Sequence, residues 1–120
     1  MLNRLALGSM LGVLILADAA VAEGFTPVTD RARFVSLIEG RELTRFGIRL
    51  TVEPDGDITG LAYGRTVTGD WSCQNGNFCR NLSFGAEPLD YNCQLVEERE
   101  GTLRFTADEG AGIYADLTLR

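Results

Sequence analysis

The chain contains no histidine and no lysine; all 11 of its basic residues are arginine, set against 17 carboxylates. Those two absences remove imidazole acid–base catalysis, Schiff-base chemistry and the common zinc ligand sets. Ser36, Ser72 and Ser83 therefore have no base to activate them. No apolar run approaches the roughly 20 residues that a bilayer span requires. Cysteine is scarce and odd in number, at 3, so at most one internal pair forms and one thiol is left over. The net charge of −6 argues against nucleic acid and anionic membrane as partners.

What is present begins at the N-terminus. Arg4, the apolar run Leu5 to Ala17 and then Ala20-Val21-Ala22 make up the three parts of a secretory signal peptide. Residues 1–22 are read as that signal and residues 23–120 as a single exported, periplasmic or secreted, β-rich domain. No Cys follows the small-residue site, so no lipid anchor is expected there. Disulfides persist in such a compartment.

A short helix comes first. Thr29 is its expected cap, Asp30 suits the positive end of its dipole and Gly40 stops it. Phe34, Val35, Leu37 and Ile38 form one apolar stripe, which either covers the core or binds a partner. From Arg41 the period changes to two. Pro54-Asp55-Gly56 reads as a hairpin loop that sets Val52 opposite Ile58, Leu50 opposite Gly60 and Ile48 opposite Ala62. Gly64-Arg65 reads as a type II′ turn that places Ala62 opposite Val67, Gly60 opposite Gly69 and Ile58 opposite Trp71.

Asn75-Gly76 sets Cys73 opposite Phe78 and Trp71 opposite Arg80. The loop Glu98-Arg99-Glu100-Gly101 puts Val96 opposite Leu103 and Gln94 opposite Phe105. The Gly-rich stretch from Asp108 to Gly112 aligns Phe105 with Ala115 and Leu103 with Leu117. In this register nearly every apolar side chain shares one face, and a slip of one residue would invert the pattern. The expected fold is mainly β: an antiparallel meander of about eight strands curled into a small barrel-like sheet with one short N-terminal helix.

The same register puts Cys79 and Cys93 on neighbouring strands, both pointing outward within disulfide reach. Cys73 faces inward beside Trp71 and Phe78 as a small buried hydrophobe. The inner face has one polar interruption. Arg80 falls between Phe78 and Leu82, with Asn92 opposite and Gln94 next along. As a ligand pocket, Arg80 would pair an anionic group, Trp71 would stack, and Asn92 and Gln94 would fix orientation. As plain architecture, Arg80 would snorkel to water at a barrel end or pair with Asp90.

No catalytic residue, metal site or cofactor is assigned. The carboxylates cluster in turns or on the outer face, and Glu97-Glu98-Arg99-Glu100 reads as a solvated hairpin tip. Arg80, the one inward base near Cys73, cannot accept a proton.

The blocks Gly40-Arg41 with Leu43-Thr44-Arg45-Phe46-Gly47-Ile48, Val67-Thr68-Gly69-Asp70-Trp71, Phe78-Cys79-Arg80, Asn92-Cys93-Gln94 and Leu103-Arg104-Phe105 carry a resemblance. Through them the chain resembles small exported alphaproteobacterial proteins without an established function, some of which bear the label dihydrodipicolinate reductase. That label implies a nicotinamide cofactor on a Rossmann domain with an early G-x-G-x-x-G turn. Here Gly8 and Gly12 fall in the signal region, and no helix-length segment follows Gly110 and Gly112. The reading that follows is an exported non-enzymatic β module binding a small polar or anionic ligand. An envelope structural or protein-interaction module and an enzyme of the labelled class are the alternatives.

Overall fold

The computed structural model describes residues 24–120, so the signal-peptide reading of residues 1–22 lies outside the described residues. In chain order the elements are β1 (Thr26–Pro27), α1 (Arg31–Ile38), β2 (Leu43–Arg45), β3 (Ile48–Val52), β4 (Asp57–Ala62) and β5 (Arg65–Gln74). Then come β6 (Asn77–Phe84), β7 (Glu87–Pro88), β8 (Asn92–Arg99), β9 (Thr102–Thr106) and β10 (Tyr114–Leu119). Each strand from β2 to β6 pairs antiparallel with the next, β6 passes to β8, and β10 returns to β2. The result is a closed antiparallel barrel of 8 strands, as the alternation predicts. β1 and β7 are two-residue additions on β8 and β6.

Turn chemistry decides the register. The hairpins at Pro54-Asp55-Gly56 and Asn75-Gly76 align their strands as expected, with Val52 opposite Ile58 and Trp71 opposite Arg80. Across the longer β9–β10 loop, Phe105 faces Ala115 and Leu103 faces Leu117.

Two turns differ from expectation. Tyr63 (φ 52) and Gly64 (φ 80) are the central pair of the β4–β5 turn, so Ala62 faces Arg65, Gly60 faces Val67 and Ile58 faces Gly69. Glu100 (φ 49) and Gly101 (φ 82) do the same between β8 and β9, placing Val96 opposite Phe105 and Glu98 opposite Leu103. Two-residue turns with both φ positive match the right-handed twist of the flanking strands, and that match outweighs the strain at Tyr63 and Glu100. Each shift is an even number of residues, so the apolar face survives intact.

One end of the barrel is plugged by α1. Asp30, rather than Thr29, caps the helix: its carboxylate accepts from the Arg33 N–H at 3.2 Å. A carboxylate both satisfies an orphan N–H and meets the helix dipole, which a hydroxyl does less strongly. Phe34 and Ile38 are fully buried. The Phe34 ring packs 5.1 Å from both Trp71 and Phe78, and Phe78 continues the cluster to Phe105 at 5.3 Å. The Trp71 indole N–H donates to the Glu53 carbonyl at 2.8 Å, and Arg31 crosses its ring to donate to the Pro54 carbonyl at 2.7 Å. The helix is thus fastened to the turn between β3 and β4.

Outside the barrel, Arg104 lies between the rings of Phe25 (4.1 Å) and Tyr114 (3.9 Å) while its guanidinium grips both oxygens of Asp116, at 2.9 and 3.1 Å. That stack holds the segment before α1 against the wall. The Arg104 hydrogen bond outweighs the opposing effect of burial and, with the charges of Arg104, Arg45 and Arg99, holds the Asp116 carboxyl below its usual range.

Cys79 and Cys93 form a disulfide with Cα atoms 3.9 Å apart. By alternation both leave the face that carries Phe78 and Arg80, yet Cys79 is fully buried. The Tyr91 hydroxyl lies 3.6 Å from the Cys93 Sγ and accepts from Gln74 at 3.1 Å. The bridge staples the β6–β8 seam, which is joined at only three residue pairs.

Candidate functional site

Because the chain runs up and down, the β2–β3 turn, the β4–β5 turn and the loops 85–91 and 107–113 join their strands on the end opposite α1, with Tyr91 and Glu109 reaching back along the wall to Gln74 and Asn77. The exposed large hydrophobic side chains among the described residues, Phe46, Leu61, Tyr63, Leu89, Tyr91, Ile113 and Tyr114, all lie in or beside these four connections. The turns at the plugged end are Pro54-Asp55-Gly56, Asn75-Gly76 and Glu100-Gly101, which are polar. Turns are ordinarily polar. The open end departs from that rule.

Below this rim the interior is hollow. One cavity of about 280 Å³ is walled by inward residues of β3, β4, β6, β9 and β10, among them Leu50, Leu82, Phe105 and Leu117, with Arg80 and Gln94 in the same wall. A second, of about 350 Å³, is lined by Ile48, Leu50, Ala62, Val67, Leu82 and Phe84, with Tyr63 and Leu89 at its edge. Ala62, Ala107 and Ala115 line the two spaces where longer side chains would fill them.

Arg80 reaches the cavity because β6 alternates strictly, placing it between the inward Phe78 and Leu82. Its Nη1 donates to the Asp90 backbone carbonyl at 2.6 Å. None of the ion pairs among the described residues includes it. Burial pulls the guanidinium below its usual pKa, and the Asp90 charge opposes that shift. A half-buried cation with one backbone acceptor keeps donors available for another acceptor.

The four residues singled out from sequence separate into three roles. Arg80 and Gln94 line the cavity. Trp71 lies on the same face, paired with Arg80, but is buried against α1 with its N–H already bonded. Asn92 faces Arg80 across the seam, and its side chain is committed elsewhere. Its Nδ2 donates to the Asp108 carboxylate at 2.8 Å and its Oδ1 accepts from the Asp108 N–H at 3.1 Å. That pair pins a segment where Asp108 (φ 54) and Glu109 (φ 56) are both left-handed.

Cys73 is partly buried against the core. Burial raises its thiol pKa, with Arg31 opposing and Asp30 reinforcing the shift, so it has the character of a packed thiol rather than a nucleophile.

The apolar inner face follows from the sequence, but the hollows in it and the gathering of exposed apolar side chains around four connections were not anticipated. The available signal was the set of small inward positions, Ala62 and Ala115, within an otherwise bulky inner face. Comparisons with protein-family models, with curated proteins and with solved structures each find no match.

Proposed function

We propose that this barrel is a non-enzymatic binding module that takes a small molecule with an anionic group through its open end, where Arg80 and Gln94 receive it. The observation that carries the reading is the Arg80 guanidinium, half-buried in an apolar wall with a single backbone acceptor. Keeping a cation in such a place costs stability. With the Asp90 charge nearby and only the Asp90 carbonyl bonded, an anion entering the cavity supplies a directly bonded charged acceptor. Gln94 supplies an amide that both donates and accepts beside it. The absence of a base able to activate Ser or Cys supports binding over catalysis. The disulfide supports an exported setting.

Isothermal titration of the full chain with small carboxylates, phosphates and their uncharged analogues tests the reading. Saturable binding of an anion that Arg80→Gln weakens by about tenfold or more is expected. Binding of neutral analogues with equal affinity, or no binding by any member, would overturn it. Trp71 fluorescence is a poor reporter here, because that ring lies under the helix and outside both cavity walls.

A further inference from the structure

The two cavities adjoin, with Leu50 and Leu82 in both walls, and make a first and a second lobe on either side of that pair. Their chemistry is unequal. The first lobe holds Arg80 and Gln94. The second carries no charged side chain and no polar group other than the Tyr63 phenol.

Each lobe also opens beneath apolar side chains that water now covers. Ile113 (86% exposed) belongs to the wall of the first, and Tyr63 (66%) and Leu89 (45%) to that of the second. Leaving such groups wet forgoes the stabilisation that burial would give them.

From this arrangement we infer that the ligand is an amphiphile, a straight-chain monocarboxylate whose head meets Arg80 and whose tail passes Leu50 and Leu82 into the apolar lobe. The inference rests on the reading of Arg80 as an anion receptor and adds the class of molecule. A monocarboxylate fits better than a phosphate ester because the first lobe has one cation, whose planar fork matches a carboxylate, and the nearby Asp90 opposes a second negative charge. A long tail fits better than a compact acid because a compact acid would leave the second lobe and its exposed rim uncovered.

Titration of the full chain with the saturated acids from hexanoate to tetradecanoate, beside the alcohols of equal length, tests this. Affinity should rise by about fourfold per methylene until the second lobe is filled and then level off. Each alcohol should bind about tenfold or more weakly than its acid, and Arg80→Gln should erase the difference.

Ala62→Leu narrows the second lobe from its wall. It should shorten the best chain length while leaving the preference of acid over alcohol, and its melting curve shows whether the barrel is intact. Acids that bind with no dependence on length, or Ala62→Leu protein that melts normally and keeps the original optimum, would overturn the tail assignment and leave the anion reading standing. Equal binding of acids and alcohols would overturn both.

Discussion

Arg80 and Asn92 face each other across the β6–β8 seam, yet their side chains part company: the arginine turns into the cavity and the asparagine closes on Asp108. One residue pair therefore links the interior to the loop that carries Ile113 and leads into β10. Pairing in register places two side chains side by side without making them act together.

Asn92→Ala removes both bonds to Asp108 and frees a loop held in left-handed geometry. A stability loss of about 1 kcal/mol is expected. Amide exchange at Asp108 should accelerate while exchange in the β3–β4 hairpin stays unchanged. Unaltered Asp108 exchange would show that the clamp does not hold the loop.

Removal of the disulfide by the double change Cys79→Ser and Cys93→Ser should lower stability by about 3 kcal/mol, the amount expected for a closed segment of this size. The sequence separation is 14 residues. Because three residue pairs join β6 to β8, protection in hydrogen exchange should fall first at Phe78, Arg80 and Gln94. Uniform loss across the sheet would argue against a weak seam.

Phe34→Ala empties the centre of the plug, where the ring touches Trp71 and Phe78. A destabilisation of about 3 kcal/mol is expected from the lost burial and the cavity left behind. Trp71 emission should move to longer wavelength as water reaches the indole. Ile113→Ala is the contrast, since that side chain is exposed and its removal should leave the melting temperature unchanged.

The Asp116 carboxyl titrates below its usual range in the folded protein because Arg104 binds its charged form. A group depressed in this way stabilises the fold above its unfolded pKa and ceases to do so as pH falls through the lower folded value. Asp116→Asn should therefore be less stable than the parent at neutral pH, with the gap closing on acidification. Urea midpoints measured from neutral to strongly acid pH would show this. A gap that stays constant, or widens toward acid, would exclude the pair as a pH-dependent contribution.

Much of the barrel was legible because a period of two, once started at Ile48, can be checked at every hairpin. Asn75-Gly76 announces its turn through residues that tolerate positive φ, and Cys79 with Cys93 follows from the pairing that turn begins. Tyr63 and Glu100 give no such notice. They adopt the same left-handed geometry because the strands on either side require it, whereas a local reading prefers a turn led by Gly64 in the first case and a four-residue loop, Glu98 to Gly101, in the second. The cavity was half legible. Arg80 interrupts the inner face visibly, but the hollow beside it depends on how far facing walls stand apart, which small residues such as Ala62 and Ala115 only hint at. Trp71 looked available for stacking because alternation gives the face and not the depth along the barrel.

The ring closes where β10 meets β2, through Thr118 with Thr44, Leu119 with Leu43 and a reciprocal pair of backbone hydrogen bonds between Glu42 and Arg120. The threonine contact joins positions 74 apart in sequence, whereas the neighbouring hairpins join residues close along the chain. During folding, then, local hairpins form early and closure waits on the slow meeting of distant strands. Until it occurs, β2 has a bare edge on which another chain could template. At three residues, Leu43–Arg45, β2 is too short to offer much of one, so its brevity protects the unfinished molecule against aggregation.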